Sequence, residues 1–342
     1  MAYDLYQQTF ALSWLANSAA GLSLPAASQP DLQEILQTNI TNALNNTQNQ
    51  ISMGGWALVW GPVVFTAPTD TTAIADNAMY VAQGKDANGN PVYVVAVAAT
   101  NWLSGYDWSQ EDFLVSSTVP FNYGTAVGTP LLSTAVGNGL DALLQMSDPV
   151  HGTLLAFLQK IPAAGTTSVI FTGHSLGGAL APALALALFN TGTNNFTTNF
   201  ANVWVYPTAG PTPGNDGFAE TFQACFKVAT TNSNSHQNWN QLLWNSFDVV
   251  PHAWDKADLF LIPALYTTLP QPVLGALVTY FVAETAFTTY TRLPNVKLTG
   301  KLNPEIPVVY TDFGAYAKQA YYQHIQAYLD LIGITPLSLL PS

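Results

Sequence analysis

Apolar positions along this chain fall into short runs broken by turn residues and by longer stretches of helical period. Residues 59–65, 79–83 and 92–98 are rich in Val, Ala, Tyr and Phe and read as strands. The third run is almost wholly apolar, as a strand covered on both faces should be. Residues 168–171 and 202–206 repeat that pattern. Between residues 31 and 44, apolar side chains stand at 32, 35, 36, 40 and 44, a helical spacing, and Pro25 and Pro30 mark the break before it. The first fifty residues therefore predict helices packed on the sheet from outside. Residues 127–144, 152–161 and 314–332 read as further helices, 307–310 as a late strand, and 256–293 as an apolar insertion of helical character. No repeat of fixed period interrupts this alternation. It predicts one α/β domain over residues 1–342, with a mostly parallel central sheet and helices on both faces.

Composition narrows the class of partner. Charged residues are only 8% of the chain, against ~25% in ordinary globular proteins. Acidic residues number 20 and basic residues 8, a net charge of −12. That balance excludes nucleic acid and electrostatic docking on anionic membranes, and suits uncharged substrates. Residues 259–283 carry no charge, but Pro263, Pro270 and Pro272 interrupt them, so they read as a cap and not as a transmembrane rod. The single cysteine, Cys225, allows no internal disulfide and reads as a small buried side chain. Asp86-Ala87-Asn88-Gly89-Asn90 has the first spacing of a calcium loop and lacks its distal glutamate; Asn-Gly between two β runs is a hairpin turn. No metal and no cofactor is expected. The first residues show neither a basic segment nor a clean apolar one, so no signal peptide is read; the compartment is left open, with secretion preferred.

The chemistry centres on Gly173-His174-Ser175-Leu176-Gly177, a G-x-S-x-G pentad. An apolar run precedes it and an alanine-rich helical stretch follows it. Strand, sharp turn and helix are what a nucleophile elbow requires. Small residues must flank the serine, and Gly173 and Gly177 do so. The bland reading is a glycine-rich phosphate loop, but no Lys or Arg lies between residues 161 and 226. Ser175 is the candidate nucleophile, and the Leu176 N–H a candidate oxyanion donor. The strand at 92–98 ends at Thr100, where this architecture, the α/β-hydrolase fold, places its second oxyanion donor; Thr100 is either that donor or a plain strand-end threonine. The aromatic stretch after it, within residues 101–125, is a candidate lid.

A serine hydroxyl needs a histidine to take its proton and a carboxylate to orient that histidine. In this fold the order is Ser, then Asp or Glu, then His. The rule removes His151 and leaves His236, His252 and His324; His174 sits in the pentad and points elsewhere. Asp248 ends an apolar run before Val-Val-Pro, which places His236 too early. His324 lies 76 residues after Asp248, room for one more strand, whereas His252 would share a loop with it. His324 is preferred to His252. Asp216, Asp255, Asp258 and Asp312 are rival acids.

Four stretches resemble the class 3 lipase family, the fungal-type triacylglycerol lipases. They are Gly173-His174-Ser175-Leu176-Gly177-Gly178-Ala179-Leu180; Gly210-Pro211-Thr212-Pro213-Gly214-Asn215; Asn245-x-x-Asp248-x-Val250-Pro251; and Val95-Ala96-Val97-Ala98-Ala99-Thr100. The chain differs in having Ala98-Ala99 where the family has Arg-Gly, Thr212 where an arginine is usual, and Gln323 where an acidic residue precedes the histidine. Pro182, within the elbow helix, costs up to ~3 kcal/mol unless it sits in the first turns or a kink. The resemblance implies an α/β-hydrolase fold with a cap or lid, and a Ser175–Asp248–His324 triad with Thr100 and Leu176 as oxyanion hole. It further implies fatty-acyl esters as substrate, met at a lipid–water interface. The rival expectation is a non-catalytic member of the fold that binds apolar ligands or a partner protein.

Overall fold

A computed structural model of the chain describes residues 2–18, 20–21, 23–25, 29–66, 72–99, 116–190, 195–230, 234–285 and 288–340. Its centre is a seven-stranded sheet. In chain order the strands are β1 (Ala57–Phe65), β2 (Asn77–Lys85), β3 (Pro91–Val97), β4 (Ser168–His174), β5 (Asn202–Thr208), β6 (Leu242–Asn245) and β7 (Asn295–Leu298). They also lie side by side in that order. β1, β2 and β3 form an antiparallel meander, and β3 to β7 run parallel. Phe171 of β4 is paired with Val95 on one side and Val205 on the other, which sets the register at the sheet's centre.

Alternating side chains of the parallel strands feed two cores. Val94, Ala96, Ile170 and Tyr206 face one layer, with Phe10 and Leu12 of α1 (Leu5–Leu15) and Leu32, Leu36 and Ile40 of α2 (Gln29–Asn45). Val95, Val97, Val169, Phe171 and Val205 face the other, with α3 (Thr134–Gln145) and α4 (Leu176–Phe189). Because both faces are covered, these strands read as continuous apolar runs. Each fully buried Leu or Ile of α2 contributes about 1.5–3 kcal/mol. Every residue of α4 is buried, so it shows no polar stripe; Pro182 is its seventh residue, inside the helix and past its first turn.

Local signals explain where elements start. Asp4 caps α1 in a reciprocal box, accepting from Gln7 N while the Gln7 side chain accepts from Asp4 N. Burial alone would raise the Asp4 carboxyl, but hydrogen bonds from His236, Gln7 N and Gln237 outweigh it and hold the pKa at about 2. The helix expected over 127–144 begins only at Thr134, because Pro130 and a short strand (Leu131–Ser133) precede it and Ser133 caps it. That short strand pairs with Thr118–Pro120. Asp86 accepts from the amides of Asn88 and Asn90 within its own turn.

Two expectations are corrected. Residues 307–310 form no strand: Val309 is 58% exposed, and Pro304 and Pro307 lie beside it. The sheet is instead extended by β7, whose burial is that of an edge strand. The single helix expected over 314–332 is two, α7 (Phe313–His324) and α8 (Gln326–Ile332), separated at Ile325. In the insertion, a short helix (Lys256–Leu259) and a longer one, α6 (Pro272–Glu284), rest on the fold, following α5 (Asp216–Cys225). No helix among the described residues is long and apolar enough to cross a membrane.

Candidate active site

The parallel strands end on one edge, where open α/β sheets bind their ligands. Here β4 runs directly into α4 through Ser175, which holds φ 57° and ψ −129°. Such backbone costs about 1–3 kcal/mol in a residue with a side chain and persists only where surroundings impose it. The surroundings are visible. Ser175 N donates to Thr208 O at 3.0 Å, and Gly178 N donates to Ser175 O at 2.8 Å. A Cβ on Gly173 would run into the Gly177 carbonyl, and one on Gly177 would stand 2.5 Å from Val97 O. Leu176 is the first residue of α4, so its N–H has no acceptor within the helix.

At this turn the structure brings together four of the five residues singled out from sequence. Ser175 Oγ lies 2.7 Å from His324 Nε2. His324 Nδ1 stands 3.0 Å and 2.9 Å from the two carboxylate oxygens of Asp248. Leu176 follows Ser175 directly in the chain. Thr100 and the aromatic stretch 101–115 lie outside the described residues. Ser175 and His324 are both partly exposed, whereas the Asp248 side chain is 0% exposed.

A wholly buried carboxylate must be hydrogen-bonded. Asp248 accepts from Val250 N at 3.0 Å and from the Tyr328 hydroxyl at 2.8 Å, besides His324. The Tyr328 hydroxyl accepts in turn from Asn245 N at 2.9 Å. Burial, then the Asp248 charge, raises the Tyr328 pKa well above the usual phenol value, so it keeps its proton and remains a donor. Asn245 Nδ2 donates to Gln323 Oε1, and Gln323 Nε2 donates to Lys301 O at 2.7 Å. A carboxylate at 323 could accept the first bond but not donate the second.

The rivals have other work. Asp216 opens α5, Asp255 caps the Lys256–Leu259 helix, Asp258 pairs with Arg292, and Asp312 caps α7. His151 pairs with Asp148 and His236 with Asp4. His252 donates through Nδ1 to the backbone oxygen of Asp248 at 2.7 Å. Among the described residues, no group of three or more His, Cys, Asp or Glu could hold a metal ion.

Comparison with known proteins bears on the family. The crystal structure of M37 lipase superimposes with a TM-score of 0.77 at 30% identity, over 97% of this chain and 93% of that one. A family sequence model described as lipase (class 3) matches residues 94–256. The chain belongs to the class 3 lipase family. The Rhizomucor miehei lipase in its propeptide complex aligns at 16% identity, over 73% of this chain and 63% of that one, with a TM-score of 0.45. No protein among the curated sequences compared gives a match. As a class 3 lipase, the protein is a carboxylic ester hydrolase with an α/β-hydrolase fold. Residues that the sequence did not single out also pack around this turn. Asn17 Oδ1 accepts from Ala99 N at 2.6 Å, so the segment after α1 braces the end of β3. Phe10 and Trp14 of α1 flank the His174 ring, at 5.8 Å and 5.6 Å between centroids. No local pattern in residues 1–50 announced this; contacts between distant segments leave none.

Proposed function

We propose that the enzyme cleaves fatty-acyl esters, glycerides above all, through an acyl-enzyme on Ser175. The observation that carries the reading is the continuous hydrogen-bonded row from Ser175 Oγ through His324 to Asp248. His324 Nε2 takes the hydroxyl proton as Ser175 Oγ attacks the ester carbonyl carbon. The carbonyl oxygen becomes an oxyanion, met by the Leu176 N–H and by Thr100, each lost donor costing ~3 kcal/mol of transition-state stabilisation. Collapse expels the alcohol with the proton held on His324. Water then attacks the acyl carbon and gives one proton to His324; the Ser175 Oγ–acyl bond breaks, the fatty acid leaves with water's oxygen, and His324 returns the proton to Ser175 Oγ. Asp248 orients His324 and balances its charge while it is protonated.

The substrate class rests on two supports. One is membership of the lipase family. The other is the insertion 256–293, which has no charge from 259 to 283 and exposes Phe260 (60%), Leu261 (51%), Leu269 (52%) and Tyr280 (58%). An apolar surface of that kind beside a hydrolytic site suits a lipid–water interface. The non-catalytic alternative leaves the serine's costly backbone without a use.

A fluorophosphonate probe tests the mechanism. Stoichiometric labelling that disappears in Ser175→Ala is expected; a folded protein that takes no label would overturn it. Hydrolysis of esters of graded chain length, below and above their solubility limits, tests the interface. A rate jump above the limit is expected, and its absence would indicate an open esterase pocket.

A further inference from the structure

His174 has no part in the proton relay, yet its ring reaches the main chain of the base. It is the last residue of β4, adjacent in chain to Ser175. Its Nε2 lies 2.8 Å from the backbone oxygen of His324, and its Nδ1 lies 3.0 Å from Thr208 Oγ1. The two imidazoles are 5.0 Å apart between centroids. A carbonyl oxygen can only accept, so Nε2 carries a proton. The ring is 2% exposed, and burial, then the neighbouring His324, pushes its pKa down to about 3. It is therefore neutral, which leaves Nδ1 bare. The Thr208 hydroxyl must then give its proton to Nδ1, although Gly173 O lies 3.3 Å away. One tautomer is fixed by this pairing.

The bond meets a need of the helix. His324 ends α7, and the last carbonyls of a helix lack intrahelical acceptor partners. α8 does not continue α7, because Ile325 intervenes with φ −110° and ψ −71°. Besides its flanking helices, the main chain that carries the base is held by Asn245 Nδ2, which donates to Gln323 O at 3.0 Å, and His174 adds a hold at His324 itself. Thr208 completes a frame: its backbone oxygen holds Ser175 N, while its hydroxyl holds the His174 ring.

We propose that His174 is a positioning residue: as the Nε2–H tautomer it donates to the His324 carbonyl and fixes where the base stands relative to Ser175. This rests on the triad reading above. The nucleophile and its base are then referred to one residue, so the 2.7 Å gap between them does not depend on the long chain path joining them. Misplacement of a base by about 1 Å costs on the order of 100-fold.

The test compares His174→Leu, which removes the donor, with His174→Gln, which offers an amide N–H at similar reach. Kinetics use a soluble ester, with active sites counted by phosphonate titration. His174→Leu is expected to lower kcat about 10- to 100-fold with KM within about twofold. His174→Gln should recover to within about threefold of wild type. A role in folding alone would lower thermal stability and leave kcat per titrated site unchanged. A folded His174→Leu with wild-type kcat, or a Gln variant no better than Leu, overturns the proposal. If His174→Leu does not fold, Thr208→Val decides: loss of kcat with KM intact supports the fixed tautomer, and unchanged kcat refutes it. His324→Ala separates the two levels. Should it keep wild-type rate, the triad reading falls and this one with it; should it be inactive while His174→Leu is unaffected, only this one falls.

Discussion

Tyr328→Phe removes one oxygen from the least accessible part of the site, and the structure lets its effect be worked out. Tyr328 and Asp248 are both 0% exposed, so water cannot replace the hydroxyl. Two bonds go: the donation to Asp248 Oδ2 at 2.8 Å and the acceptance from Asn245 N at 2.9 Å. A hydrogen bond to a charged group contributes ~1.5–3 kcal/mol, and a buried N–H without an acceptor costs ~1–3 kcal/mol. Phenylalanine fills the same ring space, so no cavity term is added. Partial relaxation of the loop reduces the sum to about 3 kcal/mol. With an unfolding entropy of ~2.1 cal/mol/K per residue over 342 residues, that lowers Tm by ~4 °C. Asp248 also loses one of the bonds that fix its carboxylate against His324, so kcat should fall about three- to tenfold with KM unchanged. Differential scanning calorimetry and steady-state kinetics on a soluble ester measure both. A Tm within about 1 °C of wild type together with kcat within twofold would refute the bonding scheme around the acid.

Other expectations follow from the same geometry. Gly173→Ala drives a methyl group into the Gly177 carbonyl, and should cost about 3 kcal/mol or more by urea denaturation, with activity lost in proportion to folded protein. His174 remains neutral in the folded protein down to a pKa of about 3, while in the unfolded chain it takes a proton below ~6.5. The unfolded state thus binds more protons across that window, so stability falls as pH drops through it, by up to about 1.4 kcal/mol per pH unit. His174→Gln should show a shallower acid slope than wild type between pH 7 and pH 4; equal slopes would remove His174 as the cause. Replacing Phe260, Leu261 and Leu269 with serine should reduce turnover of emulsified triglyceride and spare a soluble short-chain ester. Equal losses on both substrates would place these residues in the active site's own support and not in docking.

Much of the sheet was legible because its strands are covered on both faces: β3, β4 and β5 are uniform apolar runs, and few other structures produce them. β7 was not, since an edge strand of Asn295, Val296, Lys297 and Leu298 carries too little burial to mark itself, while the exposed 307–310 run looks more strand-like than it is. The elbow was readable from two glycines, whose absence of side chains the turn requires. Asp248 and His324 needed chain order as well as composition, because a triad is a juxtaposition in space. Pro182 lies inside α4, past its first turn, and not at the helix start where proline costs least. Tyr328 meets Asp248 across 80 residues of chain, a contact that no local pattern marks. His174 was set aside because a residue beside the nucleophile points away from it; its partner is a backbone atom, which no residue pattern encodes.

The two sides of the reaction are rooted in different layers. Ser175 leads into α4, which belongs to the core on one face of the sheet, whereas Tyr328 and Ile332, just beyond His324, pack with Phe10 and the N-terminal helices on the opposite face. Loosening of the second layer alone would therefore carry the base away and leave the nucleophile's helix in its native packing. Heat or mild denaturant should switch hydrolysis off ahead of the main unfolding transition, and cooling should switch it back on, so that the protein would have a dormant form that is still largely folded.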